Sequence, residues 1–230
     1  MLVESRPNRE GLAICGFAAP SEGRPMSRLE NISLDGIEEL EGVEEMYETV
    51  FGFVPNGVRI MARRPGIVQG FLNLRRSVFD PATSEVSLEL KSLVGHIASK
   101  TAGCRYCQAH AIYGSDRSGT DRARLEALWE FETSDLFDES ERVALRFAVS
   151  ASASPNGVID EDFVRMSEYW DDGQIVEILA VVALYGFLNR WNDSLATTLE
   201  EPSQTVTEEV LGSMGWAVGK HRRHEAANLD

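Results

Sequence analysis

Two of the chain's three cysteines stand three residues apart in Gly103-Cys104-Arg105-Tyr106-Cys107-Gln108-Ala109-His110, with an imidazole three residues beyond the second. Thiols at that spacing share one turn of a helix and can close a small disulfide ring. The thiolate is the reactive form of cysteine, and the unsatisfied N–H groups at a helix N-terminus stabilise it. Cys104 directly follows Gly103, which puts it in the first turn of a helix, with Cys107 one turn deeper. His110 lies on the same face as Cys107 and can take its proton directly or through a water. The chemistry this pattern predicts is dithiol redox.

The segment before the pair adds polar groups. Glu85, Glu89, Ser92, His96 and Ser99 recur at spacings of four, three, four and three, a stripe along one helical face that leads to Cys104. A solvated face is the plain reading for Glu85, whereas His96 and Glu89 are candidates to enter the site or a subunit contact. Two other readings of the cysteines stay open. Cys104, Cys107 and His110, with His96 as a fourth ligand, have the atom types of a zinc set, although no second Cys or His pair follows as zinc knuckles usually require. Both cysteines could also simply pack as small apolar residues.

The elements that must hold these groups are helical. Ile37, Leu40, Val43, Tyr47 and Val50 recur at helical spacing, as do Ile67, Phe71, Leu74 and Val78 after Pro65. Val86 to Lys100 forms the helix that leads into Gly103, and Leu125, Leu128 and Trp129 mark another. Asp138 with Glu141, and Asp171 with Gln174, have capping-box spacing. The second box opens the most apolar helix, about Ile175 to Leu199, read as a central helix buried on nearly every side. Pro55-Asn56-Gly57 and Pro155-Asn156-Gly157 read as turns. Residues 1–25 have no sustained period and read as a flexible extension before one all-α domain over 26–230.

Bulk properties exclude some partners. At a net charge of −15 the 230-residue chain lacks the clustered cations that nucleic acid or an anionic membrane would need. The basic run Lys220-His221-Arg222-Arg223-His224 reads as a solvated tail. The longest apolar run, Ile178 to Leu188, is eleven residues against the ~20 that spanning a bilayer takes. The expected setting is cytoplasmic and thiol-reducing, where C-x-x-C serves redox chemistry or metal binding more often than stapling.

The residues resemble a known family. Cys104-Arg105-Tyr106-Cys107-Gln108-Ala109-His110 is similar to the active-site segment of the carboxymuconolactone decarboxylase-like superfamily, in its alkylhydroperoxidase D-like, peroxidase-related branch. Val54-Pro55-Asn56, Arg63-Arg64-Pro65, Leu136-Phe137, Glu141-Arg142, Ala144-Leu145 and Gly186-Phe187-Leu188-Asn189-Arg190-Trp191-Asn192-Asp193 extend the likeness from about Met26 to Lys220. The resemblance implies an alkylhydroperoxidase D-like helical bundle that assembles as a homo-oligomer and needs no cofactor or metal. It implies a thiol peroxidase in which Cys107 attacks a hydroperoxide, Cys104 resolves the sulfenic acid as a disulfide, His110 carries the proton and an external dithiol restores the pair.

The chain departs from the pattern in two places. The better-understood members carry their histidine where this chain has Ala111, and a relay glutamate where it has Ser92. His96 or Glu89 is the expected substitute for that glutamate. The polar cluster from Asn189 to Asp193 reads either as a helix-terminal network or, through Asn189 or Arg190, as part of the site. The leading expectation is reduction of a hydroperoxide or a protein disulfide, an antioxidant activity. A non-catalytic redox sensor, or an oligomeric interaction protein of the same fold, is the alternative.

Overall fold

The computed structural model describes residues 27–223; the N-terminal extension, Cys15, Met26 and His224 lie outside the described residues. Ten α-helices run α1 Val43–Phe51, α2 Asn56–Met61, α3 Pro65–Val78, α4 Leu88–Thr101, α5 Arg105–Arg117, α6 Arg122–Ala127, α7 Glu139–Ser152, α8 Asp160–Ser167, α9 Asp172–Leu195 and α10 Glu201–Leu211. No strand occurs among the described residues. The fold is all-α.

Local chemistry sets the helix ends near the site. Ser87 caps α4, its hydroxyl accepting the Leu90 N–H at 3.1 Å. Gly103, at φ +77°, takes the left-handed conformation that turns the chain between α4 and α5, and Cys104 is the N-cap of α5. Both expected capping boxes are present, at Asp138–Glu141 on α7 and Asp171–Gln174 on α9. Three short helices depart from the sequence reading. The Pro55-Asn56-Gly57 turn is the start of α2, and α8 and α10 occupy stretches given no element. Pro202 near the start of α10 suits a helix N-terminus, where a missing N–H costs no bond.

Helices α4, α5, α7 and α9 form the core, with α10 laid against α5 and α3 against α9. The apolar helix α9 is central but not buried all round. Ile178, Val181, Val182 and Leu184 face inward, while Val176 is 65 % exposed and Leu179 and Phe187 40 %. By length and composition it could cross a membrane, yet within the fold it packs against α3, α4, α5 and α7. The fully buried Lys91 ammonium donates to Val78 O, Ser84 Oγ and, at 2.6 Å, the Glu177 carboxylate of α9.

At the α4–α9 crossing, Gly95 leaves room for the Tyr185 ring, and a methyl group there would overlap that ring. Gly95→Ala is therefore expected to cost about 1–3 kcal/mol of stability through overpacking. Denaturant unfolding checks this; an unchanged midpoint would mean that Tyr185 leaves its slot freely.

Candidate functional site

Helix α5 carries the cysteines on its buried face, Cys104 fully buried and Cys107 2 % exposed, both thiols free. Cys104 Sγ accepts the Cys107 N–H at 3.4 Å, so the capping atom of the helix is a sulfur aimed at its positive end. The Cys104 thiol is lowered to about 6, first because the Cys107 S–H donates to it and then because of His221. Burial and the charge on Cys104 push the Cys107 thiol well up. Within the pair the first negative charge is therefore favoured on Cys104, at the positive end of the helix.

The two sulfurs face different surroundings. Cys107 lines a cavity of about 550 Å³ and Cys104 does not. The walls are mostly aromatic and aliphatic, including Phe51, Phe71, Phe79, Tyr185, Leu188 and Trp191. Tyr106, His110 and Asn192 line it with Cys107. The Asn192 amide donates to Cys107 Sγ at 3.6 Å and to Leu188 O at 3.1 Å.

Gly57, in the first turn of α2, ties three of these groups together. Its N–H donates to Tyr106 Oη at 3.2 Å and its carbonyl accepts from Trp191 Nε1 at 3.2 Å. A side chain at Gly57 would strike the Asn192 amide, which explains a glycine there.

His110 has a carboxylate partner: its Nε2 lies 2.6 Å from Glu200 Oε2, with both side chains largely buried. Glu200 precedes α10 and also accepts from Tyr106 Oη at 2.9 Å and from the Asn56 N–H. The Tyr106 ring stacks on the imidazole at 4.4 Å, and Phe51 and Phe53 flank it at 5.8 and 5.9 Å. Burial raises the Tyr106 hydroxyl well above its usual range, so it stays a neutral donor to Glu200. The carboxylate, hydroxyl and rings hold one imidazole edge toward the cavity.

Cys107 and His110 line the same cavity, and Cys104 lies against Cys107; the two other candidates are engaged elsewhere. His96 does not line the cavity. Its Nδ1 lies 3.2 Å from Gln108 O and its Nε2 accepts from Trp129 Nε1 at 2.9 Å, so both ring nitrogens are engaged. Burial lowers His96 to about 4, which keeps it neutral. Glu89 borders the cavity beside Ser92, but its carboxylate pairs with Arg124 at 3.0 Å. The carboxylate beside His110 comes from Glu200, which the sequence reading passed over because nothing local links it to α5; its only signal was an acidic pair before a proline. Of the polar cluster on α9, Asn192 rather than Asn189 or Arg190 touches the site, and Arg190 donates to Gly186 O on the surface.

The basic run also needs correcting. His221 is fully buried, not part of a solvated tail, because Leu199 N–H donates to its carbonyl at 2.8 Å and its Nδ1 sits 2.7 Å from Thr197 O. Lys220 reaches Asp193 at 2.7 Å. Donor atoms of Cys104, Asp193 and His221 lie within 4.8 Å of one another. The four-residue zinc set is not assembled, since His110 is engaged by Glu200 and His96 by Gln108 and Trp129. The trio around Cys104 has no fourth His, Cys, Asp or Glu donor among the described residues, and it does not border the cavity that would give a metal-bound water room.

The fold agrees with known structures. The debrominase Bmp8 is 32 % identical to this chain, covering 79 % of it and 96 % of that protein, with a TM-score of 0.73. The chain belongs to the carboxymuconolactone decarboxylase-like superfamily. One Bmp8 structure is of a cysteine-to-alanine variant in complex with 2,3,4-tribromopyrrole. The alkylhydroperoxidase AhpD core of an uncharacterised peroxidase-related protein from Ralstonia eutropha JMP134, 18 % identical, shares the fold with a TM-score of 0.68 over 78 % of this chain and 95 % of that one. The uncharacterised protein YnjA of Escherichia coli K12 is 27 % identical over 152 residues, 63 % of this chain and 79 % of its own length. No family model matches the chain. Among these superfamily members the fold carries more than one activity, so the fold alone supports enzyme status and leaves the reaction to the site.

Proposed function

We propose that this protein is a dithiol reductase of an apolar organic substrate, with Cys107 the attacking sulfur and Cys104 the resolving one. One observation carries the reading: Cys107 opens onto an aromatic cavity with His110 beside it, while Cys104 sits behind, away from the cavity. A space of about 550 Å³ is in the range of small-molecule sites and far exceeds what hydrogen peroxide fills. An organic hydroperoxide fits the space and the chemistry.

The proton of the pair first shifts from Cys107 to Cys104. Cys107 sulfur then attacks the outer peroxide oxygen, the O–O bond breaks, and the departing alkoxide takes a proton from His110. Cys107 is left as a sulfenic acid. Cys104 sulfur displaces its hydroxyl, which leaves as water, and the disulfide forms. In sum, two thiols and ROOH give a disulfide, ROH and water. An external dithiol returns the pair to its reduced form, which suits a reducing compartment such as the cytoplasm, and assembly as a homo-oligomer fits the same reading.

A second reading has its own support, the 32 % identity to a debrominase. Here Cys107 would take bromine from a brominated ring as its carbon is protonated, and Cys104 would expel bromide from the S–Br intermediate. Two thiols and ArBr then give a disulfide, ArH, H⁺ and Br⁻.

Anaerobic stopped-flow mixing of the reduced protein with cumene hydroperoxide or 2,3,4-tribromopyrrole separates the two. Loss of one thiol pair per substrate reduced, far faster than with free cysteine, is expected for one of them. No acceleration with either would sink the enzyme reading.

A further inference from the structure

The cavity-side imidazole has a counterpart behind the pair. His221 is fully buried in the short turn Gly219–His221, which closes over the N-terminus of α5. The contact of Nδ1 with Thr197 O at 2.7 Å requires the ring proton on Nδ1, because a carbonyl can only accept. That leaves Nε2 as the ring nitrogen free to exchange a proton. This nitrogen is buried and has no hydrogen-bond partner among the described residues. It lies 3.6 Å from Asp193 Oδ1, and His221 offers a ring nitrogen within 4.8 Å of Cys104 Sγ. A buried ring nitrogen without a partner is costly unless something uses it.

Three titratable groups face the Cys104 sulfur: Cys107 from its own helix, Asp193 from α9 and His221 from the C-terminal turn. Lys220 binds the outer oxygen of Asp193. From α4, Ser99 contributes only a carbonyl, which accepts the Cys104 N–H at 3.1 Å.

We infer that His221, oriented by Thr197 and backed by Asp193, is the proton acceptor for the resolving thiol of Cys104, a second acid–base site on the side of the pair away from the cavity. The inference rests on the dithiol reading above. After Cys107 has reacted, Cys104 holds the proton it received. That proton moves to His221 Nε2, and the imidazolium is stabilised by the Asp193 carboxylate. The freed Cys104 thiolate attacks Cys107 sulfur, forming the S–S bond and breaking the S–O bond, so Cys104 sulfur is oxidised and Cys107 sulfur reduced. The hydroxide released takes the proton back from His221 and leaves as water. His110 serves the first step and His221 the second.

The test is an ultraviolet titration of thiolate in the reduced full-length protein, with a metal chelator present. Wild type should form its first thiolate with a midpoint of about 6. In His221→Gln the midpoint should rise by about one pH unit or more. Asp193→Asn, at a half-exposed position, should raise it less and guards against a His221 variant that fails to fold. In single turnover with cumene hydroperoxide at a pH above both midpoints, His221→Gln should form the Cys107 sulfenic acid at the normal rate and convert it to disulfide about 10²-fold more slowly. Unchanged midpoints in both variants, each folded by circular dichroism, would overturn the assignment. Should neither substrate oxidise the wild-type pair, the functional reading fails, while the titration still decides the role of His221.

Discussion

Cys107→Ser is expected to abolish turnover, by about 10³-fold or more, whereas Cys104→Ser should consume one equivalent of substrate and stop with the adduct trapped on Cys107. The assignment rests on access. Cys107 sulfur borders the cavity and Cys104 sulfur does not, so a bulky substrate meets Cys107 first. The first negative charge is favoured on the other sulfur, with Cys104 lowered to about 6 and Cys107 raised. These facts are compatible because the sulfurs share a hydrogen bond. Moving one proton from Cys107 to Cys104 places the nucleophile where the substrate is, and the Asn192 amide stabilises it there. Trapping with a sulfenic-acid reagent and peptide mapping read the outcome. A trapped Cys104 adduct in Cys107→Ser, with no adduct in Cys104→Ser, would reverse the roles.

The second large effect belongs to His110. His110→Gln is expected to slow the first step by about 10²–10⁴-fold, because the leaving alkoxide then lacks a proton donor in the cavity wall. Glu200→Gln should fall in the same direction with a smaller loss. It keeps the shape of the side chain but removes the carboxylate charge 2.6 Å from the imidazole nitrogen. His96→Gln, beyond the cavity wall, provides the contrast. Single-turnover rates for the three variants, normalised to folded protein, check the order. Equal losses at His96 and His110 would show that the relay runs through α4 instead.

How far the sequence reached depended on distance along the chain. The dithiol turn, Gly103 and both capping boxes are local patterns, and the structure places them as read. Helical periodicity likewise marked α3, α4 and α9. What failed needed contacts between distant segments. The carboxylate beside His110 is Glu200, ninety residues away, brought in by a helix too short and too polar for its period to stand out. Glu89 and His96 were the local substitutes to consider, but a stripe on α4 cannot reveal that Glu89 pairs with Arg124 and that His96 is held by Trp129 and the Gln108 carbonyl. His221 was hidden by its basic neighbours. Trp216 and Val218, both buried, were the sign that the chain returns to the core just before it. The exposed apolar edge of α9 was unreadable for another reason, since uniform hydrophobicity carries no information about which side faces out.

The most direct test treats reduced protein with one equivalent of cumene hydroperoxide, or of 2,3,4-tribromopyrrole, and maps its cysteine peptides by mass spectrometry without reduction. For at least one substrate, the account predicts a single product in which Cys104 and Cys107 are joined to each other, with loss of two hydrogens and no oxygen retained. Two free thiols after exposure to both substrates, or a disulfide that pairs either residue with another cysteine, would contradict it.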